Sequence, residues 1–208
     1  MKHNAFTLAE VLVTLGIIGV VSALTLPTLV KNHQRQTYTV QLQKVFNELA
    51  QAAEQVKADS NSANLKESQL RRRGSEFLLT NYFKTTRTCS DANNLTDCFS
   101  NDYINMNGDN VSISDFVPAG GSCAVIASGA SICVGTMSAG GNIAVATDIN
   151  GKQGPNVVGR DLFTLAIENN GTVIAPGQAS IGACSAAVDG DYGACLAQII
   201  KDGWKMDY

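Results

Sequence analysis

From Ala5 to Val30 the chain is apolar apart from Glu10, small hydroxyl residues and Pro27. About 20 such residues are enough to cross a bilayer as a helix. Lipid offers no partners to backbone N–H and C=O groups, so a run of this kind must satisfy them internally, and that dictates a helix. The same run holds a carboxylate, Glu10, near its start. An ionised side chain in hydrocarbon is costly when alone, so it marks a functional position whose partner must be found. Lys2 ahead of the run and a polar chain after it place the short N-terminus in the cytoplasm, with Lys31 and Arg35 reducing the charge contrast. The remainder is then expected outside the cytoplasm.

Three readings of the segment compete. An ordinary secretory signal would be cut after Val21-Ser22-Ala23 and lost, leaving Glu10 without a purpose. A plain signal anchor would keep the segment, and Glu10 would again be only a cost. Cleavage between Ala5 and Phe6 would keep the helix and free an α-amine on Phe6, four residues from Glu10. That amine is a cation able to pair with the carboxylate, within one chain or between two.

Lys2 through Glu10, centred on Ala5-Phe6-Thr7-Leu8-Ala9-Glu10, resembles the processing site of type IV prepilins and of the pseudopilins of type II secretion. The resemblance implies a leader of residues 1–5, cut by a prepilin peptidase that also methylates the new terminal Phe6. Ala5 stands where the family usually has glycine. It further implies that Glu10 neutralises the N-terminal amine of a neighbouring subunit during filament assembly. Methylation keeps the amine positive, so the pairing survives it. Gly19 and Pro27 stand where such helices carry a flexible point and a proline, and a proline removes a backbone donor and kinks or locally opens a helix. Residues 6–30 would form the transmembrane and filament-core helix, and 31–208 a globular head that includes the helix's continuation. The partners implied are other copies or related subunits, the peptidase and an inner-membrane assembly machinery. The location implied is a single pass of the bacterial inner membrane with a periplasmic head, then a periplasmic or extracellular filament.

Beyond the membrane run, Leu42, Val45, Phe46, Leu49, Ala53 and Val56 recur at helical spacing, so the helix is expected to continue to about Ala58 with one face on the head. Asp59-Ser60-Asn61-Ser62 ends that pattern. A second helix is expected over Leu65 to Phe83, and a loose polar loop from Lys84 to Asn110. Ala124-Val125-Ile126-Ala127 and Ser131-Ile132-Cys133-Val134 read as a hairpin about Ser128-Gly129-Ala130. Asn142 to Thr147 is a third strand, and Leu162 to Ile167 and Thr172 to Ala175 flank the turn Asn169-Asn170-Gly171. A short helix from Gly193 to Asp202 stops at Gly203, with Trp204 as a packing anchor. The fold class is therefore α+β: a long N-terminal helix, half membrane and half amphipathic, packed against a C-terminal antiparallel sheet.

The six cysteines suit disulfides in an oxidising compartment better than C-x-x-C metal or redox sites. Of the 15 connectivities that six cysteines allow, the short loops favour Cys89 with Cys98, Cys123 with Cys133 and Cys184 with Cys195.

The net charge of −3 excludes a strong nucleic-acid footprint, and Arg71-Arg72-Arg73 reads as a solvated helix face. Asp148-Ile149-Asn150-Gly151 alternates oxygen-bearing side chains ahead of a glycine, as calcium loops do, without the closing Glu of an EF-hand. A metal-free loop held by Asp and Asn side chains on backbone is the preferred reading. Some related pseudopilin heads hold structural calcium, and that alternative names Asp148, Asn150 and Asp161 as ligands. No cofactor is required. The two histidines, His3 and His33, cannot serve a nucleophile, and the glycine-rich patches lack phosphate-loop motifs, so no enzyme is indicated. Two function classes remain: a filament subunit polymerised through its helix, or a minor subunit or anchored module whose head binds a surface, an exported protein or DNA.

Overall fold

The computed structural model describes residues 7–89, 94–176, 184 and 193–208. Helix α1 (Leu8–Asp59) is one uninterrupted helix of 52 residues, roughly 78 Å long at 1.5 Å per residue. Pro27 lies inside it, and the helix continues through that position. Gly19 has open space about it. The two halves of α1 differ in what surrounds them. Large apolar side chains from Leu8 to Val30 are exposed, and by length and composition this part is able to cross a membrane. From Thr39 onward a stripe is buried: Leu42, Val45, Leu49, Ala52, Ala53 and Val56.

That stripe packs on a six-stranded antiparallel sheet with order β1-β4-β5-β6-β7-β8. Its strands are β1 (Thr85–Thr88), β4 (Ser122–Ile126), β5 (Ser131–Val134), β6 (Ile143–Asp148), β7 (Leu162–Ile167) and β8 (Val173–Ile174). The period of two along each strand decides which side chains meet the helix. Ala124, Ile126, Ile132, Val134, Ile143, Val145, Phe163, Leu165 and Ile167 join the buried residues of α1 in one core. The alternate positions Cys123, Cys133, Ala146 and Leu162 face a second core on the opposite side. That second layer comes from the chain between Thr85 and Val117, which includes the described part of the Lys84 to Asn110 stretch expected to be a loose loop. It supplies Phe99, Tyr103, Ile113 and Phe116, the short helix α3 (Leu95–Cys98) and a two-stranded ribbon of β2 (Tyr103–Ile104) with β3 (Asn110–Val111). Its first residues form the edge strand β1, paired with β4 through a register shift between Thr85 and Arg87.

Three disulfides close short loops: Cys89 to Cys98, Cys123 to Cys133, and Cys184 to Cys195. Cys123 and Cys133 are direct partners in the β4–β5 register, with Cα atoms 4.0 Å apart.

The second helix, α2 (Leu70–Tyr82), begins later than the sequence pattern suggested and turns sharply at Gly74, whose φ of 80° suits glycine. The residues before it are held by other bonds. Leu65 N donates to Asn169 O at 2.8 Å, Lys66 N to Asn169 Oδ1 at 2.9 Å, and Gln69 N to Ser60 Oγ at 3.2 Å. The first two donors tie the segment to the β7–β8 turn and the third ties it to the C-cap of α1, and Leu65 is fully buried in the core. At the other end α4 (Ala194–Lys201) closes with Gly203 N donating to Ile200 O and Trp204 N to Ile199 O, a Schellman cap. Trp204 then meets Phe46 of α1 edge-on, with centroids 5.2 Å apart.

This division of α1 predicts unequal responses to truncation. In the full chain held in detergent, Leu49→Ala should lower the head's unfolding free energy in urea by about 2–5 kcal/mol. Leu15→Ala, at an exposed position, should change it by no more than about 0.5 kcal/mol. Equal losses would contradict the division.

Candidate functional site

The first described residue, Thr7, is the N-cap of α1, and its extended backbone conformation lets its side chain turn back on the helix. Thr7 Oγ1 accepts from Glu10 N at 3.3 Å. Glu10 Oε2 in return accepts from Thr7 N at 2.9 Å and from Thr7 Oγ1 at 2.8 Å. This is a reciprocal capping box, which satisfies helix-end donors that would otherwise be orphaned. The acidic group also lies where the helix dipole favours negative charge. Cleavage after residue 5 would leave the Phe6–Thr7 amide intact, so the box does not depend on the leader. Bonds to the Glu10 carboxylate among the described residues use Oε2. Ala5, Phe6 and the rest of residues 1–5 lie outside the described residues.

Thr7 joins this site in addition to the residues that the resemblance implies. Its signal was present as Thr7-x-x-Glu10 directly before the apolar run, the sequence form of a capping box. Besides the charge pairing that the resemblance implies, Glu10 caps the first turn of α1.

Asp148, the last residue of β6, and Asp161, in the loop that follows it, lie in the interior, both fully buried. Asp148 Oδ2 accepts from Tyr103 Oη at 2.6 Å, and its Oδ1 from Asn150 N at 3.1 Å. Asp161 Oδ2 accepts from Asn156 N and its Oδ1 from Val157 N, each at 2.6 Å. Asn150 Nδ2 donates to Gly154 O at 3.2 Å. The three residues of the calcium alternative thus lie in one loop system, but four carboxylate oxygens already face N–H and O–H donors. The Oδ1 atoms of Asn150 and Asn156 are buried without a hydrogen-bond partner. Two such oxygens fall short of the six to eight that calcium takes, and no group of three or more His, Cys, Asp or Glu among the described residues is placed to hold a metal. As folded, this donor set does not fit a calcium cage.

Burial pushes the Asp148 carboxyl up to about 8, helped by the nearby Asp161 and opposed by the Tyr103 hydrogen bond. Burial raises Asp161 to about 6 against its backbone donors. Tyr103 is likewise raised, first by burial and then by Asp148. Between the ordinary carboxylate value of 3.8 and about 8 the folded chain therefore holds more protons at Asp148 than the unfolded chain. Stability is greatest at the acid end of that window and falls as pH rises through it. Urea unfolding of the full chain should show a loss of roughly 1 kcal/mol per pH unit between pH about 6 and 8, which Asp148→Asn should largely remove. A head that becomes more stable over that range would contradict the assignment.

A family model described as the prokaryotic N-terminal methylation motif matches residues 1–26. No curated protein and no solved structure matches the chain. The matched residues include the Thr7–Glu10 capping box and most of the exposed apolar part of α1. The long apolar helix, antiparallel sheet and three disulfides give an α+β, pilin-like layout. Residues 1–26 thus carry the sequence signal of type IV pilin and pseudopilin prepilin cleavage.

Proposed function

We propose that this chain is a structural subunit of a type IV pilus-like or type II secretion pseudopilus filament. In this reading prepilin peptidase cuts between Ala5 and Phe6 and methylates Phe6. The mature subunit waits in the bacterial inner membrane with its head in the periplasm, and then joins other pilin-like subunits through α1.

The observation that carries the reading is the exposed apolar half of α1 beginning at a capped, acidic first turn. In a membrane, lipid covers that surface. In a filament, the same surface meets α1 of other copies, and van der Waals packing replaces lipid contact. Glu10 holds its cap through Oε2 and is exposed, so in this reading an incoming Phe6 amine pairs with its second oxygen without dismantling the helix end. A charge pair is far better tolerated in an apolar surrounding than either ion alone. The head's role is then to space and display subunits.

The two roles of Glu10 separate by substitution. Gln also serves at the third position of a capping box, so Glu10→Gln preserves the helix end and removes the charge. The full-length Glu10→Gln chain should stay in the membrane fraction while its incorporation into purified filaments falls by about tenfold or more. Wild-type incorporation of that variant would overturn the charge-pairing step.

A further inference from the structure

A cleft of about 440 Å³ lies where α1 leaves its apolar half, lined by Lys31, Arg35 and Tyr38 of the helix and by Pro155, Arg160 and Met206 of the head. Residues 31, 35 and 38 follow one another at four- and three-residue steps, which places them on one face of the helix. The two ion pairs among the described residues, Lys44 with Glu48 and Lys57 with Glu54, do not involve any of these cations. Asp161 lies buried behind the rim, but both of its oxygens are committed to backbone N–H groups.

The head side of the cleft is fixed in place. Arg160 N donates to Val157 O at 2.9 Å. Tyr208 Oη donates to Gly159 O at 2.6 Å, pinning the C-terminal residue to the loop that carries Arg160. The sulfur of Cys195 lies where a Cβ on Gly159 would have to go, so the loop sits directly on the last disulfide. Three cations from two elements thus converge on a concave surface whose head-side wall is preorganised.

Its depth identifies the ligand. From Leu8 to Val30 α1 rises roughly 35 Å, somewhat more than the hydrocarbon thickness of about 30 Å. Lys31 follows at once, and Arg35 lies about 6 Å further along the axis, which is headgroup depth. Leu26, Leu29 and Val30 are exposed immediately below, where acyl chains would run. We infer that this cleft binds the phosphate of an anionic membrane phospholipid, with Lys31, Arg35 and Arg160 as its charge partners. In the waiting subunit the lipid would hold the head against the membrane surface, and filament entry would require its release. The inference rests on the membrane-anchored reading above.

The test is native mass spectrometry of the full chain in detergent, titrated with phosphatidylglycerol, phosphatidylcholine or inorganic phosphate. Phosphatidylglycerol should be retained one to one in preference to phosphatidylcholine, and inorganic phosphate alone should not displace it. Each cation near an anionic headgroup is worth about fivefold, so Arg35→Gln with Arg160→Gln should weaken retention about 25-fold. Lys31→Gln, at an exposed helix position that cannot disturb the head, should weaken it about fivefold. Equal retention of both lipids, displacement by inorganic phosphate, or indifference to Lys31→Gln would overturn the inference. So would variants that keep lipid binding but fail to enter filaments, since the cleft would then serve an acidic segment of a neighbouring copy. Resistance to alkaline carbonate extraction separates the two levels of argument. A resistant chain with no lipid preference sinks the cleft alone, whereas an extracted chain removes the membrane anchor beneath both readings.

Discussion

The apolar half of α1 is left uncovered by the described residues of its own chain, and this exposed surface governs the rest. Leaving a Val, Leu or Ile side chain in water rather than burying it costs about 1.5–3 kcal/mol. Thirteen such side chains between Leu8 and Val30 are exposed, and their combined cost exceeds the ~5–15 kcal/mol that holds an ordinary domain folded. The segment must therefore lie in lipid or against other apolar helices. Among the described residues, the apolar faces of the head's sheet are covered by the second half of α1 and by the layer around Phe99 and Tyr103.

In the proposed reading Glu10 turns a plain anchor into a device with two states. Its bonds to Thr7 keep the first turn of the helix satisfied where backbone donors would otherwise be exposed to lipid. Its charge remains available to a cation brought by another subunit. On that proposal the lipid-facing state and the assembled state would share one helix conformation and differ in what covers it. The lipid contact inferred at Lys31, Arg35 and Arg160 would belong to the lipid-facing state alone and would bias the head toward the membrane until assembly competes it away.

Much of this was legible in the residues because the strongest constraints are local. The 26-residue apolar run, the helical spacing of Leu42 through Val56, and the turn Asn169-Asn170-Gly171 each state their structure within a few residues. The hairpin register followed from the same alternation, and with it the opposition of Cys123 and Cys133. What the sequence hid depends on contacts distant along the chain. Thr85–Thr88 is polar and short, and becomes a strand because β4 has an open edge to pair with. Tyr103 reads as one aromatic in a polar stretch, yet it is buried and bonded to Asp148, 45 residues away. The donors from Leu65, Lys66 and Gln69 that delay α2 likewise reach residues outside its own pattern. In the candidate site, Thr7 was readable from its spacing to Glu10, whereas the commitment of Asp148 and Asp161 to N–H and O–H donors was not, because those donors are placed by the tertiary fold.

The central claim is that the helix is retained while a short leader is removed, freeing a cation at Phe6 for Glu10. Mass spectrometry of the N-terminal peptide of the chain isolated from its native membrane tests this most directly. The account predicts a mature terminus at Phe6 carrying one methyl group on its amine. A terminus at Leu24, or an intact Met1, would contradict it.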